Sequence, residues 1–418
     1  MTAPLLALLT ESWPFPSARD GVFIAPELPF LLQRFPQVVV LPRYPDSGAE
    51  AQARATLAAA CQGSVGEVRL DLRLSVHRRS LPALALAGVR SLPPWPRSDL
   101  GPAGPAAQLL RWRHRTWARI MADRLADLVD GHGGPAVLYS YWFHLQAVAA
   151  GCLAARRPDV RAVTRAHGAD LYEERNPGGY IPLRRAAMRN LSRIICVSRH
   201  GADYLANRHP GSSGRIAVHR LATANSSSEG PEPSAEGEVV LASCSYLVPL
   251  KRVPRIAAIA AGVAQALGRT VRWVHFGGGE EAGLVADAVR DKPGLVAELP
   301  GDVAHATVLA CYRTRPIHLF LNQSTTEGVP VSVMEALGSG IPVVATAAGG
   351  TAEILAGGAG IIHPIDEPVA SVVAQISRLL LDRPAYRAAR SAARSQWERS
   401  CRAEAVFPPF VDELRGLI

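Results

Sequence analysis

The sequence predicts an α/β protein built from two doubly wound parallel-sheet domains. Three observations carry that expectation. Short apolar runs alternate with amphipathic stretches along the whole chain, a pattern that favours parallel strands covered on both faces by helices. A polar stretch rich in Ser, Pro, Glu and Gly, Asn225–Gly237, interrupts the alternation, which then restarts. The length of 418 residues accommodates two or three domains at roughly 150 residues each.

The first half offers strands at Leu5–Leu9, Val38–Leu41, Val68–Leu72, Ala136–Ser140, Arg161–Thr164, Arg193–Val197 and Ile216–Val218. Helical patterns lie between them at Ala51–Cys61, Ala107–Val129, Leu145–Ala155, Leu183–Leu191 and Gly201–Arg208. The second half offers strands at Val239–Ser243, Arg272–His275, Ile317–Leu321, Pro342–Ala345 and Gly360–Ile362. Its helices fall at Val253–Leu267, Glu280–Arg290, Ala304–Tyr312, Val331–Leu337 and Val369–Leu381. The expected organisation is an N-terminal domain over 1–226, a linker over 227–237, a second domain over 238–395 and a tail over 396–418. The tail is amphipathic, expected to be broken at Pro408-Pro409 and to pack back on the N-terminal domain.

Composition narrows the class. With 48% hydrophobic and 19% charged residues the chain forms a core, which excludes wholesale disorder, a collagen-like repeat and a coiled coil. The net charge of +9 comes from 45 basic residues of which only Lys251 and Lys292 are lysine. Such arginine bias, beside 36 Gly and 33 Pro, reads as the codon usage of a GC-rich genome, so the charge gives little support to a nucleic-acid partner. The six cysteines are scattered with no CxxC pair, as expected of single thiols in the reducing cytoplasm. No apolar stretch reaches 18 residues, and the N-terminus lacks the positive region of a signal peptide. Trp95, Trp112 and Trp117 interleave with Arg78, Arg79, Arg111, Arg113, His114, Arg115 and Arg119 around the Pro/Gly-rich stretch Arg90–Ala106. This segment reads either as a solvated arginine face or as a peripheral contact with anionic lipid head groups at the inner membrane face.

In doubly wound sheets, ligands sit beyond the carboxyl ends of the strands. The segment Asn322–Leu355 places there a polar loop, Glu327-Gly328-Val329-Pro330, followed by a helix start at Val331 with Ser332 and Glu335 in its first turns. The unpaired N–H groups of such a start suit a phosphate, and carboxylates beside it suit sugar or ribose hydroxyls. Ser332-x-x-Glu335 also satisfies a capping box, and Pro330 sits where helices begin. Lys251-Arg252 follow a strand and precede a helix, a place where two cations hold a diphosphate. Gly349-Gly350-Thr351 and Gly277-Gly278-Gly279 are tight turns after strands that let a backbone approach a ligand or serve as ordinary loops. In the first domain, Arg165-Ala166-His167-Gly168-Ala169-Asp170 follows a strand, which aims His167 at the ligand crevice or into a structural role. The sequence has neither GxGxxG nor GxxxxGK[ST], and it has no D-x-D for a divalent metal.

Taken together these residues resemble the retaining, nucleotide-sugar-dependent glycosyltransferases of family four. Glu327 and Glu335 in EGVPVSVME match the E-x7-E motif, and Gly349, Gly350 and Glu353 match GGxxE. The basic pair lies in SYLVPLKRV and the histidine in RAHGADLYEE. The resemblance runs from TESWPFPS through YSYWFHLQA to the final helix, and it is nearest to the bacterial exopolysaccharide branch, similar to colanic-acid-type transferases. It implies the GT-B architecture, two Rossmann-like domains facing across a cleft. It implies that Glu335 binds the donor ribose, and that Glu327 and His167 hold hydroxyls of the transferred sugar. Backbone groups of Gly328, Val329, Pro330, Val331 and Ser332 would touch sugar and diphosphate, and Lys251 with Arg252 would neutralise the leaving group. Asp170 would line the same site.

The chain departs from the family pattern at two places. The Arg often found five residues before the Lys is Tyr246 here, leaving Arg252 or Arg165 to supply charge, and the glycine loop after the first strand is reduced to Gly21 in PSARDG. The implied activity is metal-independent transfer of a hexose to an acceptor hydroxyl, without a cofactor beyond the nucleotide-sugar co-substrate. The acceptor is a glycan, a lipid-linked intermediate or a small molecule, and a nucleic acid is not expected. Alternatives on the same scaffold are a sugar-nucleotide epimerase, a phosphorylase or a non-catalytic nucleotide-sugar-binding protein.

Overall fold

A computed structural model describes residues 2–18, 20–75, 105–224 and 229–418. The chain divides into two units: Met1–Arg220 together with Phe407–Ile418, and Leu221–Val406. Each unit holds one wholly parallel sheet.

The first sheet comprises β1 (Leu5–Thr10), β2 (Gln37–Pro42), β3 (Glu67–Leu70), β4 (Ala136–Ser140), β5 (Val160–Ala166), β6 (Arg193–Cys196) and β7 (Ile216–Val218). Its order is β3-β2-β1-β4-β5-β6-β7. The second comprises β8 (Val239–Cys244), β9 (Val271–Phe276), β10 (Leu295–Gly301), β11 (Leu319–Asn322), β12 (Val343–Thr346) and β13 (Gly360–His363), in the order β10-β9-β8-β11-β12-β13. Both orders reverse beside the first strand of the unit, at β1/β4 and at β8/β11, and ligands bind outside the carboxyl ends of strands at such reversals. The central strands are continuous apolar runs because both faces are covered. Every residue of β1 is buried, the helix Leu145–Ala154 buries most of its length, and Val253–Leu267 buries one face.

Several features differ from the sequence reading. β10 was not expected. Its sequence LVAELPG is half-exposed throughout, and its register on β9 shifts between Glu298 and Gly301, as suits an edge strand. Over 229–236 the expected linker is docked on the second unit. Glu232 pairs with Arg383 at 2.6 Å and Arg387 at 2.9 Å, and Gly230 lies so close to Tyr312 that a Cβ would stand 2.3 Å from its carbonyl oxygen. The helix Arg383–Ser400 also went unread; its Trp397 is fully buried and donates to Thr223 Oγ1 at 2.7 Å.

The tail is not broken at its prolines. One helix, Ala403–Arg415, runs through Pro408 and Pro409. Two backbone bonds are forfeited, at a cost of about 3 kcal/mol for an interior proline. Phe407, Phe410, Val411 and Leu414 are buried at helical spacing and offset that loss, with Phe407 against Phe30 and Phe410 against Tyr139 in the first unit.

Candidate functional site

In the second unit the reversal point collects the residues singled out by sequence. After β8 the chain turns through Pro249–Lys251, a 3-10 turn, and Arg252 in left-handed conformation (φ 48°) starts the helix Val253–Leu267. After β11 it runs through a buried loop to the helix Val331–Gly338. Thr325 N donates to Leu250 O at 2.9 Å and joins the two loops. Across this junction Lys251 Nζ lies 2.5 Å from Glu327 Oε1. Asn322 Nδ2, at the end of β11, reaches the same oxygen at 3.4 Å. Lys251 is half-buried and Glu327 is 7% exposed, so the pair is partly withdrawn from water and its charges are weakly screened.

The glycine turns build this junction. Gly349 (φ 54°) packs on Glu327 so closely that a Cβ would stand 1.9 Å from the Glu327 carbonyl oxygen. Gly350 N donates to Gly328 O at 2.9 Å. A Cβ on Gly277 would stand 2.0 Å from Ser245 O, and one on Gly279 2.5 Å from Leu247 O. Both turns therefore hold the loops that carry Glu327 and Lys251. Tyr246, beside them, is exposed.

The helix Val331–Gly338 begins after Pro330, and no described side chain caps it. The capping box is therefore overturned: Ser332 already lies inside the first turn, and Glu335 bonds elsewhere. Glu335 Oε1 is 2.6 Å from Nε2 of His305, on the helix His305–Thr314, and this bond holds the imidazole above its usual pKa. Val329 and Pro330 are buried, whereas Val331 and Ser332, which carry the first N–H groups of the helix, are half-buried. Arg252 donates Nε to Gln323 O at 2.6 Å and Nη1 to Ile365 O at 2.8 Å, Nη2 has no hydrogen-bond partner among the described residues, and burial lowers its pKa. Cys244, near the pair, is pushed up to about 12 by burial, so it stays a thiol and is no nucleophile at neutral pH.

In the first unit the reversal point lies between β1 and β4. His167 follows β5 and is held by Asp170. Asp170 accepts from the N–H groups of His167 at 2.9 Å, Gly168 at 2.8 Å and Phe143 at 3.0 Å, and its Oδ2 is 3.2 Å from His167 Nδ1. These bonds drive the Asp170 carboxyl far below the usual carboxylate range despite full burial, and burial lowers the pKa of His167. The pattern fixes a neutral imidazole with its proton on Nδ1, leaving Nε2 as an acceptor; that atom has no hydrogen-bond partner among the described residues. Trp142 covers the ring at 4.2 Å between centroids and donates to Asp20 Oδ2 at 3.0 Å. Burial raises the Asp20 carboxyl.

Two expectations in this unit need correction. Arg165 does not face a ligand: it is fully buried, 2.9 Å from the buried Glu27 carboxylate, bonded to Tyr139 Oη at 2.8 Å and stacked on Phe410. Asp170 is fully buried and is bonded to His167 instead of facing a ligand. Gly21 begins the short helix Gly21–Ile24, where a Cβ would stand 3.0 Å from the Trp13 ring, so the ring accounts for the glycine. Of the Trp/Arg segment, Trp117 is buried in the core and Trp112 is exposed. Arg78, Arg79, Trp95 and most of Arg90–Ala106 lie outside the described residues.

Sequence reasoning missed His305, Asn322, Trp142 and Asp20. Trp142 lies at the carboxyl end of β4, where the reversal rule alone would have pointed. His305 follows the unread strand β10, so its approach to Glu335 had no local signal. Among the described residues no helix is long and apolar enough to cross a membrane, and no group of three His, Cys, Asp or Glu is arranged to hold a metal ion.

Residues 227–396 match the family model for glycosyl transferases group 1. No curated protein matches the chain. Solved structures of similar fold include Anabaena Alr3699/HepE in complex with UDP and glucose, at 15% identity and a TM-score of 0.62 over 99% of this chain and 100% of that one. The sucrose-phosphate synthase of Thermosynechococcus elongatus is 14% identical, with a TM-score of 0.68 over 99% of each chain. The lipopolysaccharide outer core galactosyltransferase WaaB in its apo form is 11% identical, with a TM-score of 0.66 over 99% of this chain and 100% of that one. The chain therefore has the fold of these GT-B glycosyltransferases, two Rossmann-like α/β domains.

Proposed function

We propose that this chain is a retaining, metal-independent glycosyltransferase that moves a hexose from a nucleotide-sugar to an acceptor hydroxyl. The Lys251–Glu327 pair carries the reading. It stands at the strand-order reversal of the unit that matches the group 1 model, beside an uncapped helix start.

Breaking the bond between the anomeric carbon and the diphosphate oxygen builds positive charge on the sugar ring and negative charge on the leaving group. Lys251 and the N–H groups at the start of Val331–Gly338 stabilise the diphosphate as it departs. Glu327, oriented by Lys251 and Asn322, accepts hydrogen bonds from hydroxyls of the sugar. Glu335, steadied by His305, accepts from the ribose hydroxyls. In the first unit, His167 Nε2 offers an acceptor for a substrate hydroxyl. The acceptor oxygen attacks the anomeric carbon from the face the diphosphate leaves, and its proton passes to the departing phosphate oxygen. Retention follows without a covalent intermediate, and no cofactor is proposed beyond the nucleotide-sugar. The six free cysteines support a reducing, cytoplasmic setting.

A thermal-shift screen against UDP-, GDP- and dTDP-sugars tests the reading, because a ligand that binds the folded state raises Tm by mass action. One base is expected to raise Tm in the wild type, with UDP-sugars first to try because a neighbour of similar fold binds UDP. Absence of any shift, or a Lys251→Ala variant with unchanged kcat, would overturn it.

A further inference from the structure

The first unit has a cavity of about 1090 Å³ at the carboxyl ends of β1, β2 and β4. Its charge is one-sided. Arg43, Arg113 and Arg184 line it, and Glu11 is the one acidic residue among the described residues that line it. Glu11 lies 3.8 Å from Arg43 and offsets only that cation.

Arg184 is the decisive group. It is 4% exposed, and its guanidinium lies over the Phe143 ring at 3.6 Å. One nitrogen donates to the Asp170 carbonyl, while Nε and Nη1 have no hydrogen-bond partner among the described residues. Burial lowers its pKa to about 10, so it stays charged at neutral pH. A buried cation with two vacant donors calls for an anion. The helix Leu145–Ala154 begins at the same cavity, and no described side chain caps it, so its N–H groups favour the same charge. The lining also carries apolar side chains, Trp117, Leu145 and Ile181.

We propose that this cavity binds a phosphate ester with an apolar organic group, the phosphate seated on Arg184 with Arg113 and Arg43 and the apolar part against Trp117 and Ile181. As the acceptor side of the reaction this rests on the glycosyl-transfer reading; as a binding site it stands on the geometry alone. Each of the two unpartnered N–H groups is a charge-assisted donor for a phosphate oxygen.

The test uses the full chain and isothermal titration with farnesyl phosphate, farnesol, inorganic phosphate and glucose 1-phosphate. Farnesyl phosphate is expected to bind at least about tenfold more tightly than each of the others, since both the charge and the apolar group contribute. Arg184→Gln and Arg113→Gln should each weaken farnesyl phosphate while leaving the Tm shift by the nucleotide-sugar unchanged. Arg113 is exposed, so its variant keeps the test sound if Arg184→Gln does not fold. Equal binding of farnesol would overturn the anion site, as would unchanged affinity in Arg113→Gln together with a folded Arg184→Gln. Equal binding of glucose 1-phosphate would overturn the apolar subsite. Loss of the nucleotide-sugar shift with farnesyl phosphate binding intact would remove the acceptor role and leave the phosphate site standing.

Discussion

His305 Nε2 and Glu335 Oε1 lie 2.6 Å apart, joining two helices of the second unit through one charge-assisted bond. The bond raises the histidine above its ordinary value of 6.5. A group whose pKa is raised on folding stabilises the fold fully below its unfolded value, and that contribution is lost as pH climbs through the folded value. Wild type should therefore exceed His305→Gln in stability by more at pH 5.5 than at pH 9, read by urea denaturation. An equal difference at both pH values would mean that the pair carries no charge-dependent stability.

Glu335 has a second duty under the proposed function. Glu335→Ala removes the acceptor for ribose hydroxyls, so the donor KM should rise while kcat changes little. Steady-state kinetics separate this from a structural role, because a residue that only joined two helices would lower Tm and leave KM alone.

Lys251 is expected to behave in the opposite way. Its charge matters most when the diphosphate leaves, so Lys251→Ala should lower kcat by about 10²–10³-fold, the usual cost of one preorganised donor, with a small change in donor KM. The variant also leaves the buried Glu327 carboxylate with Asn322 alone, at 3.4 Å. Adding Glu327→Gln should restore Tm, because the orphaned charge is gone, but not turnover. Recovery of kcat in the double variant would show that Lys251 serves only to balance Glu327.

The sequence made the architecture legible because strongly apolar parallel strands announce themselves. It made the Glu327 and Lys251 loops legible because chemistry at a reversal point concentrates in the loops after strands. It hid β10, whose LVAELPG mixes Glu and Pro into a half-exposed edge. Ser332-x-x-Glu335 misled because a local pattern satisfies a cap only if the helix starts at Ser332, whereas it starts at Val331 and Glu335 finds His305 instead. The tail prolines misled for a related reason: the apolar face of Phe407, Phe410, Val411 and Leu414 outweighs a local preference. Arg165 read as a cation at a strand end because nothing nearby in sequence signals Glu27, its partner from another element.

Asp170 offers a test in the first unit. Asp170→Asn keeps the size of the side chain but replaces one acceptor oxygen with a donor, so either the Phe143 N–H and the His167 Nδ1–H, which share Oδ2, or the His167 and Gly168 N–H groups, which share Oδ1, lose their partner. Each buried donor left unpaired costs about 1–3 kcal/mol. Because the folded pKa of Asp170 is depressed below its ordinary 3.8, its contribution is present above that value and is lost as pH falls through the folded one. The difference between wild type and Asp170→Asn should shrink on acidification from pH 6 to pH 3, measured by urea denaturation. The altered tautomer should also lower kcat, and His167→Ala should lower it comparably. Full turnover in His167→Ala would restrict the Asp170–His167 pair to holding the loop.

Gly349 tests whether the glycine turn positions Glu327. An alanine there adopts a left-handed backbone, which costs about 1–2 kcal/mol, and its Cβ would press into the Glu327 carbonyl oxygen from 1.9 Å. Gly358 is the control, since it has φ 83° but its nearest neighbour would be Ala392 Cβ at 4.0 Å. Gly358→Ala should therefore pay only the backbone cost and keep turnover. Gly349→Ala should lose more stability and, by displacing Glu327 from Lys251, also lose kcat. Equal losses of Tm and intact kcat in both variants would place the Glu327 loop under no constraint from this turn, and the match to GGxxE would then reflect a turn preference alone.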